Sequence, residues 1–113
     1  MRKDPEVFLA HILESIDLIE GYSEGKTREE FVESPQLQDA VIRRIEIIGE
    51  AVKNLPEDFK KDHPEIAWQK IAGMRDVLIH QYFGVDLALT WDVIQSDIPN
   101  LKLNISRIKD VTK

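Results

Sequence analysis

The segment SPQLQDAVIRRIEIIGEAVKNLP, residues 34–56, decides the fold, because its apolar side chains recur every three or four residues. The residues that recur in this way are Val41, Ile45, Ile48 and Val52. Such spacing places them on one face of an α-helix. Ser34 is a typical N-cap residue and Pro35 suits the first helical position. Asn54 and Pro56 mark the end of this predicted helix.

The same helical spacing continues through most of the chain. Helices are predicted over residues 5–22, 27–33, 34–55, 65–83 and 86–95, with a last segment, 98–111, introduced by Ser96 or Asp97. N-caps are expected at Asp4 and Asp86, and a capping box at Thr27 and Glu30. Residues 56–64, PEDFKKDHP, are predicted to be a polar connector, and no strand is expected. We therefore predict an all-α, antiparallel helix bundle of four to five main helices, forming a single domain over 1–113.

The composition is that of an ordinary globular domain, with 113 residues of which 42% are hydrophobic and 32% are charged. No apolar run approaches the roughly 18 residues that span a bilayer, and the first residues lack a signal-peptide pattern. The absence of cysteine fits a cytoplasmic protein. The net charge of -6 argues against a protein that coats nucleic acid through its phosphates, so a contact with nucleic acid would be local.

The motif RDVLIHQY, residues 75–82, places polar side chains in the most apolar part of the chain. On a continuous helix, where each residue turns by about 100°, Arg75 and Tyr82 fall in the middle of the apolar face. Asp76 and His80 lie one turn apart on the adjoining edge and can form a hydrogen bond there.

Two interpretations of this motif stay open. In the structural one, Arg75 forms an ion pair with Glu46 or Glu50 of the preceding long helix, or extends its charged end to solvent. In the functional one, a guanidinium that grips phosphate oxygens and a histidine that moves protons share one patch, which suits phosphoryl chemistry. One helix does not gather Arg75, His80 and Tyr82 around one atom, which favours a homodimer with the motif at its seam.

The sequence RDVLIHQY fits the pattern RxxxxHxY, with Arg75, His80 and Tyr82 in the motif positions. The flanking stretch IAWQKIAGMRDVLIHQYFGVD, the earlier IIGEAVK and the later tryptophan followed by DIPNL complete the pattern. Together they resemble the HepT family, small proteins of the HEPN superfamily, over nearly the whole chain.

This resemblance implies a specific activity and a specific partner. Similar proteins are toxins of two-gene toxin-antitoxin modules and act as metal-independent endoribonucleases, with a composite cleft at a homodimer interface. The resemblance implies that Arg75 and His80 are the catalytic pair and that Asp76 supports them. It further implies that a minimal nucleotidyltransferase antitoxin adenylylates Tyr82 and so silences the toxin.

RNA is then the expected substrate, and neither DNA nor a membrane is an expected partner. Three scattered histidines and no cysteine give no metal-ligand spacing, so no metal or other cofactor is predicted. The alternative function is a non-catalytic nucleotide-binding or interaction module on the same dimeric bundle. It would use Arg75 and His80 to hold a phosphate without cleaving RNA.

Overall fold

A computed structural model describes residues 4–80 and 84–112 of the chain. Its elements are α1 (Pro5–Ser23), α2 (Arg28–Val32), α3 (Pro35–Asn54), α4 (Glu57–Asp62), α5 (Trp68–Ala72), α6 (Met74–Leu78), β1 (Ile79–His80), β2 (Gly84–Val85), α7 (Leu87–Asp92), a π-helical turn (Val93–Asp97) and α8 (Ile98–Thr112). The two short strands pair antiparallel, with Ile79 opposite Val85 and His80 opposite Gly84.

The predicted N-caps are present at the starts of α1, α2, α3 and α7. The capping box before α2 is complete: the Glu30 N–H donates to Thr27 Oγ1 at 3.1 Å, and the Thr27 N–H donates to Glu30 Oε1 at 3.0 Å. Ser34 accepts a backbone N–H at the start of α3, and Asp4 and Asp86 do the same for α1 and α7. Each such cap stabilises its helix by about 1 kcal/mol.

The core lies between α3 and the helices around it. Its largest fully buried side chains are Leu9, Ile12, Ile16, Ile19, Phe31, Val41, Ile45, Ile48, Val52, Leu78, Ile98 and Ile105. The apolar face predicted for α3 is therefore confirmed, and it packs against α1 and against α5 and α6. Each large aliphatic side chain buried here contributes about 1.5–3 kcal/mol relative to an exposed one. The prediction of a mainly helical fold is confirmed, and no described helix is long and apolar enough to cross a membrane. The expectation of no strand is wrong, because β1 and β2 pair after α6 ends.

The predicted fourth helix, 65–83, is wrong. Its first helical residue is Trp68, it is interrupted at Gly73 between α5 and α6, and it ends at Leu78. Glycine weakens a helix interior by about 1 kcal/mol, and the β-branched Ile79 has an extended backbone with φ -105° and ψ 116°. After Leu78, the backbone pairs with β2 and no longer forms helical hydrogen bonds. His80 therefore does not lie one helical turn beyond Asp76, as the continuous helix had placed it.

Two further boundaries differ from those predicted. The segment expected to be a polar connector contains α4. No new helix begins at Ser96 or Asp97, because α7 runs through the π-helical turn directly into α8. Pro99 has no N–H and its ring crowds the carbonyl four residues earlier, so the backbone widens just before it. The Ile98 N–H accordingly donates to the Val93 carbonyl, five residues back.

Gly49 sets how closely α3 approaches α5. A Cβ atom added at Gly49 would lie 3.1 Å from the backbone oxygen of Ala72, which is tighter than an ordinary van der Waals contact. The helix α3 therefore rests on the backbone of α5 where a larger side chain would separate the two. This contact fixes the position of α6, which follows α5 after Gly73.

We expect Gly49→Val to destabilise the fold by about 1–3 kcal/mol, because the added methyl groups have no space against Ala72. Gly21→Val in α1 is the matched control, since a Cβ there meets no atom within 4 Å. Its effect should be a few tenths of a kcal/mol, because valine is a slightly better helix former than glycine. Urea unfolding of both variants measures the difference, and equal effects would contradict the close approach of α3 and α5.

Candidate functional site

Arg75 is the second residue of α6, and its side chain is 43% exposed. The buried residues of the two short helices are Trp68, Ile71, Met74 and Leu78. Arg75 thus lies beside the apolar face and not in its middle, which corrects the placement expected from a continuous helix. The reason is that α5 and α6 are separate helices, so the apolar face of one need not continue at the same angle around the axis of the other.

The guanidinium of Arg75 lies against α3. Its Nε atom is 2.8 Å from Oε2 of Glu46, which is one of the two predicted structural partners. Nε is buried and has no hydrogen-bond acceptor with suitable geometry in the described part of the chain. The contact is therefore a short ion pair without an aligned hydrogen bond. Nη1 of Arg75 is 3.5 Å from Oδ1 of Asp76, whose side chain is 80% exposed.

Glu46 joins two arginines. Its Oε1 accepts a hydrogen bond of 2.6 Å from Nη1 of Arg43, one turn earlier on α3, while its Oε2 faces Arg75. The hydrogen bond from Arg43 and the positive charges of both arginines lower the pKa of Glu46 from its ordinary value of 4.5, although desolvation opposes them. The carboxylate therefore stays ionised beside Arg75 at neutral pH.

A small cleft of about 130 Å³ lies beside the contact between α3 and the α5–α6 pair. Its lining residues are Glu46, Gly49, Glu50, Lys53, Ala72, Arg75 and Asp76. Sites for whole small-molecule ligands have volumes of roughly 300–1,000 Å³. The cleft that the described residues form lies below this range.

The structure brings Arg75 and Asp76 together with Glu46, but it does not describe the whole predicted site. The backbone of His80 lies in β1, paired with Gly84, while its side chain is outside the described part. Tyr82 also lies outside the described residues. The catalytic role of His80 and the modification of Tyr82 stay predictions.

The shared contact of Glu46 with Arg43 was not predicted from the sequence. A sequence signal was present, because Arg43 and Glu46 stand three residues apart on a predicted helix and such pairs face each other. Within the described ranges, no group of three or more histidine, aspartate or glutamate side chains is placed to hold a metal ion.

The lowered pKa of Glu46 predicts a pH-dependent stability. A carboxyl group with a depressed folded pKa stabilises the fold above its unfolded pKa and loses this contribution as pH falls through the folded value. We expect wild type to be more stable than Glu46→Gln at neutral pH, and the two to converge under acid conditions. Thermal unfolding across this range measures the gap, and a gap that is independent of pH would show that charge is not its origin.

The sequence model of a family described as Ribonuclease HepT-like matches residues 12–108. A protein of Methanocaldococcus jannaschii, named a gamma-glutamylcyclotransferase and putative RNase, is 58% identical over 110 residues. That match covers 97% of this chain and 50% of the relative, so the chain spans half of that protein's length.

Two further relatives are matched over nearly their full length. A protein of Thermococcus cleftensis, named a probable ribonuclease HepT, is 46% identical over 96% of this chain and 99% of its own. A protein of Caldanaerobacter subterraneus, named a putative RNase, is 44% identical over 94% of this chain and 95% of its own. No solved structure matches the chain significantly. With a family match across most of its residues, the chain belongs to the HepT-like ribonuclease family.

Proposed function

We propose that this protein is an endoribonuclease that acts as the toxin of a two-gene toxin-antitoxin module. The observation that carries the proposal is the placement of Arg75 within a HepT-like chain. Its side chain is 43% exposed and lies in a cleft, immediately before Asp76 and five residues before His80. Because the arginine side chain is partly exposed, it can contact a phosphate group without a rearrangement of the core.

The chemistry follows from the structure of RNA. The 2′-oxygen forms a bond to the adjacent phosphorus while the bond from phosphorus to the 5′-oxygen breaks. A base removes the 2′-hydroxyl proton and an acid gives a proton to the leaving oxygen, so the products are a 2′,3′-cyclic phosphate and a 5′-hydroxyl. We assign the proton transfers to His80 and the stabilisation of the phosphorane charge to Arg75. Asp76 supports this pair, and no metal ion takes part.

A homodimer completes the proposed site. The base must stand beside the 2′-oxygen and the acid beside the 5′-oxygen, on opposite sides of the phosphorus, and one histidine cannot occupy both positions at once. Val77, on α6 next to Asp76, is 59% exposed and offers an apolar contact for a second copy. Light scattering should give twice the chain mass of 13.1 kDa, and a monomer at micromolar concentration would contradict the composite site.

We expect the wild-type protein to cut RNA in the presence of EDTA and to leave DNA of the same sequence intact. Both His80→Ala and Arg75→Ala should slow cleavage by at least about a hundredfold, because proton transfer and charge stabilisation each contribute that much. Mass spectrometry of the fragments should find the 2′,3′-cyclic phosphate. Strict dependence on magnesium would reject the mechanism.

The alternative is a nucleotide-binding module that does not cleave RNA. The net charge of -6 supports it, because most of the surface repels RNA. Expression of the wild type and of His80→Ala in the same host separates the two functions. A ribonuclease toxin arrests growth only as wild type, whereas a binding module affects growth equally little in both forms.

Regulation of the proposed toxin depends on Tyr82. An AMP group attached to this tyrosine, seven residues after Arg75 in the sequence, would add an anionic phosphate and a base that compete with the phosphate of the RNA for the anion site. The nucleotidyltransferase antitoxin would transfer the AMP from ATP to the phenol oxygen and release pyrophosphate. The transfer therefore switches the toxin off by occupying its anion site.

We expect protein co-expressed with its antitoxin to gain the mass of one or more AMP groups and to lose its cleavage activity. Tyr82→Phe should gain no AMP at this position and should remain active in the presence of the antitoxin. Intact-protein mass spectrometry and an RNA cleavage assay on the same samples test both points. AMP found on other residues only would contradict the role of Tyr82.

A further inference from the structure

We infer that Glu46 is a positioning residue of the ribonuclease site, which fixes the guanidinium of Arg75 in the orientation that receives the phosphate. The inference rests on the proposed function and extends it to a residue of α3, outside the RxxxxHxY motif. Glu46 does not itself contact the RNA. It acts through Arg75, whose Nε lies 2.8 Å from Oε2 of Glu46.

The 2.8 Å contact with Glu46 is made by Nε of Arg75 and not by its two Nη groups. A guanidinium carries five N–H groups in one plane, one on Nε and two on each Nη. Glu46 faces the buried Nε. Nη1 of Arg75 also lies 3.5 Å from Oδ1 of Asp76. Because Asp76 is 80% exposed, it can move aside, and the two Nη groups can then bind two phosphate oxygens as a fork.

Glu46 is itself held firmly enough to orient another side chain. Each of its oxygens has a different arginine partner, Arg43 on the same helix at 2.6 Å and Arg75 on α6 at 2.8 Å. A rotation of the carboxylate would lose at least one of these contacts. The close contact between Gly49 and Ala72 also holds α3 against the helices that carry Arg75.

Glu46 affects catalysis by orienting the guanidinium of Arg75, and not by its charge alone. Without Glu46, Arg75 would still be positive, but its long side chain would sample several rotamers on a half-exposed surface. When a group that stabilises the transition state is displaced by about 1 Å, the rate can fall on the order of a hundredfold. Loss of Glu46 should therefore lower kcat more than it raises KM.

The test measures RNA cleavage by Glu46→Ala and Glu46→Gln beside a matched control, Glu20→Gln. Glu20 has a similar exposed fraction, 37% against 33% for Glu46, and its 2.7 Å ion pair with Lys102 also joins two helices, away from the cleft. We expect kcat to fall about ten- to a hundredfold in Glu46→Ala and less in Glu46→Gln, whose side chain keeps the size of glutamate and a polar oxygen beside Nε. Glu20→Gln should keep the wild-type rate.

A second background separates positioning from a general loss of structure. In Arg75→Lys, which keeps the charge and lacks the fork, Glu46→Ala should cause little further loss, since its effect passes through the guanidinium. If Glu46 only maintained the structure, Glu46→Ala would lower kcat by the same factor in both backgrounds. If cleavage by Arg75→Lys is too slow to measure, the two Glu46 variants decide between these roles. Positioning predicts a higher kcat in Glu46→Gln than in Glu46→Ala, with KM unchanged.

Three results would overturn the inference. These are an unchanged kcat in Glu46→Ala, an equal loss in Glu20→Gln, and an additive loss in the Arg75→Lys background. Each of them leaves an active wild-type ribonuclease and the proposed function intact. An inactive wild type would instead overturn the proposed function, and this inference with it.

Discussion

The contact of α3 with the backbone of α5 at Gly49 is the constraint on which the site depends. Because no side chain separates the two helices there, Glu46, one turn earlier on α3, reaches the guanidinium of Arg75 on α6. A core residue without a side chain therefore determines the distance between two charged groups near the surface. The close approach of α3 and α5 at Gly49 therefore determines both the packing of these helices and the ion pair of the site.

Much of the fold could be predicted from local sequence alone. The caps at Ser34 and Thr27 hold because they depend on side chains within three residues of the helix start. The apolar face of α3 holds because its period is unbroken over more than three turns. These features need no information about the rest of the chain, and they were sufficient for the all-α class.

The errors fall where tertiary contacts outweigh local periodicity. The helical pattern continues past Gly73 and Ile79, yet the chain breaks at the first and turns extended at the second because pairing with Val85 becomes available. At the site, the sequence offered both Glu46 and Glu50 as partners of Arg75, since they share one helix face. Only the packing of α6 on α3 decides between them.

The end of α6 at Leu78 changes what the spacing of RxxxxHxY means. A helical residue advances the chain by about 1.5 Å, whereas a residue in a strand advances it by about 3.3 Å. With Ile79 and His80 in β1, the backbone carries the histidine away from the arginine faster than a helix would. Three of the four intervening residues are helical and one is extended, so the separation of Arg75 and His80 depends on where α6 ends as well as on the number of residues between them.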